Sequence, residues 1–157
     1  MLKSENRKLK CVDLVHPNYR ERWDDLIIAE MYLNEDQKEI NTFCSINDKY
    51  KSKYFKTIKD LELNQYDNFM DFVDQYGLCF DYVEAGTFED QKEGYFRWQL
   101  SWGGPSDEFR IFYNPKEGLH KIQYHYMDWY DGACIISESK RLKNIIWDCF
   151  NFHFLEV

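Results

Sequence analysis

The sequence predicts an α+β fold: N-terminal helices, an antiparallel four-stranded sheet over about 78–130, and a C-terminal helix packed on the sheet. Three observations lead there. Apolar residues recur with helical spacing up to about residue 76. Beyond Gly77 the spacing changes to strict alternation, and most of the glycines lie in this half. The strands then follow one another through short connections, which favours a meander over βαβ units. Residues 1–157 read as one domain, mainly helical over 1–76, with sheet and C-terminal helix over 77–157.

The first helix is expected over 17–33. Pro17 suits a first helical turn, where its missing N–H costs nothing. Tyr19, Trp23, Leu26, Ile27, Glu30 and Met31 then keep helical spacing. Residues 35–60 carry mixed signals. Ile40, Phe43 and Cys44 look helical, Ser45, Asn47 and Asp48 look like a turn, and Tyr50, Tyr54, Phe55 and Ile58 indicate a short helix. Next, Asn64 is expected to cap a helix that ends at Gly77. Phe69, Met70, Val73 and Tyr76 form its apolar face, and Asp67, Asp71 and Asp74 line another face at i, i+4 and i+7.

Phe80 and Tyr82 alternate with Asp81 in the first strand. Phe96, Trp98, Leu100 and Trp102 alternate with Arg97, Gln99 and Ser101 in the second, the signature of a half-buried strand. Gly103, Gly104 and Pro105 interrupt it. A third strand is expected over 108–113 and a fourth over 120–127, with Ile122, Tyr124 and Tyr126 on one face. Asp131-Gly132 reads as the closing turn. Ser137 is the expected cap of a last helix carrying Leu142, Ile145, Ile146, Cys149 and Phe150.

Composition narrows the function classes. Aromatic residues make up 18% of the chain, so the core is expected to be built from rings. No apolar run approaches the roughly 18 residues of a membrane span, and no apolar stretch follows the basic start, so neither membrane insertion nor a secretory signal is expected. Five cysteines at wide spacings, without C-x-x-C, read as reduced thiols of a cytoplasmic protein. Cys149 and His153 stand at i, i+4, but two ligands do not make a zinc site. His120 and His125 fall on opposite strand faces. No metal or cofactor is expected.

No phosphate-binding loop, dinucleotide fingerprint or nucleophile elbow is present. Ser106 beside Asp107 and Glu108 reads as a turn residue. Asp128 and Asp131 have no sugar cleft assigned to them. No catalytic residue is therefore named.

Two surfaces remain as candidate sites. One is acidic. Residues 61–157 hold 8 Lys/Arg against 17 Asp/Glu, and ten acids face the single base Lys92 between Asp60 and Glu93. Asp67, Asp71, Asp74, Glu84, Glu89, Asp90 and Glu93 are the expected contacts to a partner protein with a basic surface, such as a nucleic-acid-binding complex. The other is polar and lies opposite the tryptophans. Arg97 and Gln99, with Arg110 and His125 on neighbouring strands, could hold an anionic ligand.

Residues 98–110 (WQLSWGGPSDEFR) and 124–133 (YHYMDWYDGA) together resemble a block found in small uncharacterised proteins carried by phages and plasmids. The likeness spans about 94–133. It implies a mobile-element accessory protein, a class that often antagonises host restriction or CRISPR defences. The leading expectation is a non-enzymatic, acidic protein-interaction module of this kind. Two alternatives stand beside it: a small ligand-binding domain or enzyme that uses the Arg97/Arg110/His125 face, and an immunity- or antitoxin-like partner of one cognate protein. Oligomeric state is not legible in the sequence.

Direct nucleic-acid binding needs positive charge to neutralise phosphates. With a net charge of −8, the purified protein is expected not to shift duplex DNA at physiological salt in a gel-shift assay. Tight, salt-sensitive binding would overturn this reading.

Overall fold

The structure, a computed structural model, describes residues 9–152. Five strands form one antiparallel meander in the order β1 (Cys79–Val83), β2 (Tyr95–Ser101), β3 (Ser106–Asn114), β4 (Gly118–Asp128) and β5 (Asp131–Ile136). Four α-helices precede the sheet: α1 (Cys11–Leu33), α2 (Gln37–Cys44), α3 (Asp48–Asp60) and α4 (Phe69–Tyr76). A fifth, α5 (Lys140–Cys149), follows it. No helix among the described residues is long and apolar enough to cross a membrane.

The sheet has one strand more than the alternation predicts. The turn after β4 falls at Trp129-Tyr130, two residues before Asp131-Gly132, and residues 131–136 return along β4 with Gln123 opposite Ile136. The strand is hard to read because only Ala133 and Ile135 are even half-buried.

Three further boundaries differ from expectation. Helix α1 begins at Cys11, so Pro17 lies inside it. A tertiary contact anchors that extra length, because the Cys11 amide donates to the Asp131 carboxylate at 2.8 Å and Val15 is buried. Asn68, not Asn64, caps α4 by accepting the Asp71 amide at 2.9 Å, while Leu63–Gln65 forms a separate 3₁₀ turn. Ser139, not Ser137, caps α5 through the Leu142 amide at 3.1 Å. Gly77 has φ −93°, so left-handed freedom does not explain it; a Cβ there would overlap the Trp98 indole.

The helices cover one face of the sheet. Trp98, Phe109, Ile111, Ile122 and Tyr124 turn toward them and join Leu26, Ile28, Phe72, Leu142 and Ile146 in one aromatic-rich core. A buried polar network stitches the layers together. Arg22 of α1 donates to both oxygens of Asp107, at 2.7 and 2.9 Å. The Tyr124 hydroxyl donates to the same carboxylate at 2.6 Å and Ser101 at 2.5 Å. Tyr76 accepts from Arg22 at 3.2 Å and donates to Asp25 at 2.7 Å. Burial alone would raise the Asp107 pKa, but Arg22 and the two hydroxyls hold it below the usual carboxylate range.

Trp102 departs from the alternation of its strand. A register shift between Gln99 and Ser101 brings Ser101 opposite Asp107 and leaves Trp102 77% exposed, whereas Trp98 is 2% exposed. Ser101 accordingly leaves the Arg97/Gln99 face predicted for it and joins the core network. Trp98→Ala is expected to cost roughly 3–5 kcal/mol in denaturant unfolding, as a large core truncation, while Trp102→Ala stays within about 0.5 kcal/mol. Similar losses for the two variants would sink the assignment of faces.

Candidate functional site: a groove on the open face of the sheet

Because both helical segments pack on one side, the other side of the sheet is left to polar residues and two loops. Register sets these residues in rows. Arg97 of β2 lies opposite Arg110 of β3, which lies opposite Gln123 of β4. Gln99 lies opposite Glu108, and Glu108 opposite His125. A groove of about 1030 Å³ runs over this floor. It brings together Arg97, Gln99 and Arg110 from the polar face that the alternation predicts, and adds Tyr95, Glu108, Phe112, Lys121 and Gln123.

Two walls close the groove at opposite ends of β2. Residues 88–93 of the β1–β2 loop form one. Gln91 braces that loop, its amide donating to the Glu84 and Glu93 carbonyls at 3.0 Å each. Trp102, Gly103, Gly104 and Trp129 form the other. Here the two halves of the sequence block meet: a Cβ at Gly104 would come within 3.1 Å of the Trp129 indole nitrogen. Trp129 itself sits in the left-handed region, with φ +54°, and is 87% exposed. Trp129 is the first residue of the two-residue turn that joins β4 to β5, where hairpin geometry takes positive φ.

The charges of the floor are already engaged with one another. Arg97 donates two bonds to Asp81, at 3.0 and 2.7 Å. Arg110 donates to the buried Glu108 at 2.9 Å, and its guanidinium lies 4.9 Å from the Tyr95 ring centre. The Lys121 ammonium lies 4.1 Å from the Phe112 ring centre and 3.9 Å from Glu93. The Tyr95 hydroxyl is buried without a hydrogen-bond partner. His125 sits beside the groove, not in its lining, with Nε2 2.9 Å from the Gln123 side-chain oxygen. Burial, aided by Arg110, pushes its pKa down to about 3, so it is a neutral imidazole and adds no positive charge to this face.

The seven acids expected to form one face occupy two places. Asp71 and Asp74 lie on α4, in the helical layer, whereas Asp67 precedes the helix because the cap is Asn68. Met70, expected in the apolar face of this helix, is 46% exposed; Phe72 takes its place at 1%. Glu84, Glu89, Asp90 and Glu93 belong to the β1–β2 loop, and the last three line the groove on the far side of the sheet. Among the described residues no group of three or more His, Cys, Asp or Glu side chains could hold a metal ion. His153 lies outside the described residues, and His120 pairs with Glu93 at 3.1 Å.

Sequence reasoning did not single out Tyr95, Glu108, Phe112, Lys121 or the indole of Trp129 as site residues. The alternation of residues 106–112 carried the signal for Glu108 and Phe112. The loop wall carried none, since its placement depends on how 84–94 folds back over the sheet. No protein-family model, curated protein or solved structure matches the chain.

The state of His125 has a pH consequence. Its folded pKa lies below the ordinary 6.5, so the neutral form is favoured in the folded protein. Stability from this site is therefore complete above about 6.5 and is lost as pH falls toward about 3. Asp107 acts in the same direction at the acid end. Thermal melts across that window are expected to show a falling midpoint for the native protein and a flatter profile for His125→Gln; superimposable profiles would refute the neutral, half-buried imidazole.

Proposed function

We propose that this protein is a non-enzymatic binding module whose partner occupies the groove on the open face of the sheet. The observation that supports it best is the pair of exposed tryptophans, Trp102 and Trp129, at one end of a polar groove whose floor is already ion-paired. Large exposed aromatic groups beside such a groove are what a partner would desolvate, and tryptophan and arginine are enriched among residues that dominate binding energy. A floor of neutralised arginines offers little to a free anion, which weighs against an anion site on Arg97 and Arg110.

The loop acids Glu84, Glu89 and Asp90, all exposed, favour a partner with a basic surface. Together with the resemblance of residues 98–110 and 124–133 to phage- and plasmid-borne proteins, this makes a nucleic-acid-binding host-defence complex the partner we propose. A cognate toxin would meet the same description, and the immunity-like reading stays beside it. In this reading the encounter takes place in the cytoplasm.

Two variants separate the groove from the α4 acids. Trp102→Ala/Trp129→Ala alters the groove wall without touching the core. Asp67→Asn/Asp71→Asn/Asp74→Asn removes three charges from the helical side. In affinity purification from the host cell, the groove variant is expected to lose the wild-type partner and the helical variant to retain it. Retention by the groove variant, with loss by the helical one, would move the site to α4.

A further inference from the structure

Resting on the groove reading above, we infer that the groove holds an extended basic peptide segment of the partner, with an arginine or lysine side chain seated between Trp102 and Trp129. Three properties of the groove carry this.

The first is its length. The groove runs along β2 from the loop wall at Tyr95 to Trp102. At roughly 3.3 Å per residue, that is about 20 Å. Its volume of about 1030 Å³ stands at the upper end of the roughly 300–1,000 Å³ typical of small-molecule sites. A single small cation would leave most of it empty, whereas about six residues of extended chain would span it.

The second is charge. Among the groove's cations, Arg97 and Arg110 are each ion-paired, Lys121 lies against the Phe112 ring and near Glu93, and Lys92 stands exposed on the loop wall. The acids Glu89 and Asp90 stand exposed at the mouth. On the β1–β2 loop itself four acids, Glu84, Glu89, Asp90 and Glu93, stand against the single base Lys92. An approaching cation is therefore attracted, while a phosphate backbone or an acidic peptide is repelled.

The third is the aromatic end. Trp102 and Trp129 are 77% and 87% exposed, and indole rings are the strongest cation–π acceptors among the side chains. Gly104 lets the Trp129 indole approach the β2–β3 turn. The backbone of β2, β3 and β4 is already laddered beneath the groove. A segment lying here is thus read through its side chains and not by strand addition.

The test uses the full chain and fluorescently labelled twelve-residue peptides in which arginine alternates with glycine and serine, compared with glutamate and glutamine counterparts. Anisotropy reports binding, and the indole N–H signals of Trp102 and Trp129, assigned with the single alanine variants, report its place. The arginine peptide is expected to bind and shift both indoles. Trp102→Ala/Trp129→Ala should weaken it at least tenfold, and Glu89→Gln/Asp90→Asn/Glu93→Gln should weaken it and reduce its salt dependence. If the glutamate or glutamine peptide, or neutral oligosaccharides such as cellohexaose and maltohexaose, shift the same indoles while the arginine peptide does not, the basic segment is refuted and the groove survives. If the arginine peptide binds without moving those indoles, or binds the tryptophan double variant equally well, the groove reading falls with it. Failure of the arginine peptide to bind at all overturns the inference.

Discussion

The structure depends on one buried carboxylate. Asp107 is 3% exposed and stands at the start of β3, where α1, α4 and three strands converge. A lone charge at such a depth would be prohibitive. Here Arg22 meets it with two hydrogen bonds, and Tyr124 and Ser101 take up further acceptor capacity. Arg22 is in turn shared with Tyr76, and Tyr76 with Asp25. Each donor comes from a different element, so the network is complete only when helices and sheet are mutually aligned. A hydrophobic replacement could match its stability, because desolvation of a buried pair offsets much of the Coulomb gain. The pair also ties α1 directly to the start of β3, so helix and sheet are joined at a defined point.

The network reaches the surface. Ser101 can serve Asp107 only because the β2–β3 pairing shifts by a residue between Gln99 and Ser101. The same shift carries Trp102 out of the core and sets it at the end of the groove. The exposed indole is therefore a consequence of a core hydrogen bond and not of a loose loop. Across the turn, Gly104 and Trp129 complete the wall, so a short stretch of chain links the deepest polar contact to the most exposed aromatic one.

Much of this was legible in the sequence where periodicity dominates. Phe96, Trp98 and Leu100 against Arg97 and Gln99 showed a two-faced strand, and Arg110 and Gln123 fell on the polar side as their positions required. What was not legible depended on tertiary context. Pro17 looks like a helix start until the Cys11 amide finds Asp131. Asp67, Asp71 and Asp74 look like one stripe until Asn68 takes the cap and Asp67 falls outside the helix. Strand β5 has too little burial to alternate visibly. In each case a contact distant in the chain outweighs a local preference, as caps and marginal strands allow.

The distribution of charge then acquires a physical meaning that the net value of −8 conceals. Acids on α4 and acids on the β1–β2 loop lie on opposite sides of the sheet, so they cannot act on one partner surface together. Those on the loop border a floor where Asp81 and Glu108 already compensate the arginines. Long-range attraction therefore originates at the loop, while the ion-paired floor contributes shape and hydrogen-bonding direction. Rim charges of this kind mainly set how fast a partner arrives, and buried aromatic contacts set how long it stays. On the proposed reading the two ends of β2 would divide these tasks, with Glu89, Asp90 and Glu93 near its start and Trp102 at its finish. A segment meeting both ends, as proposed, would be charged and extended at once, a joint demand that neither the acidic loop nor the tryptophan pair makes alone.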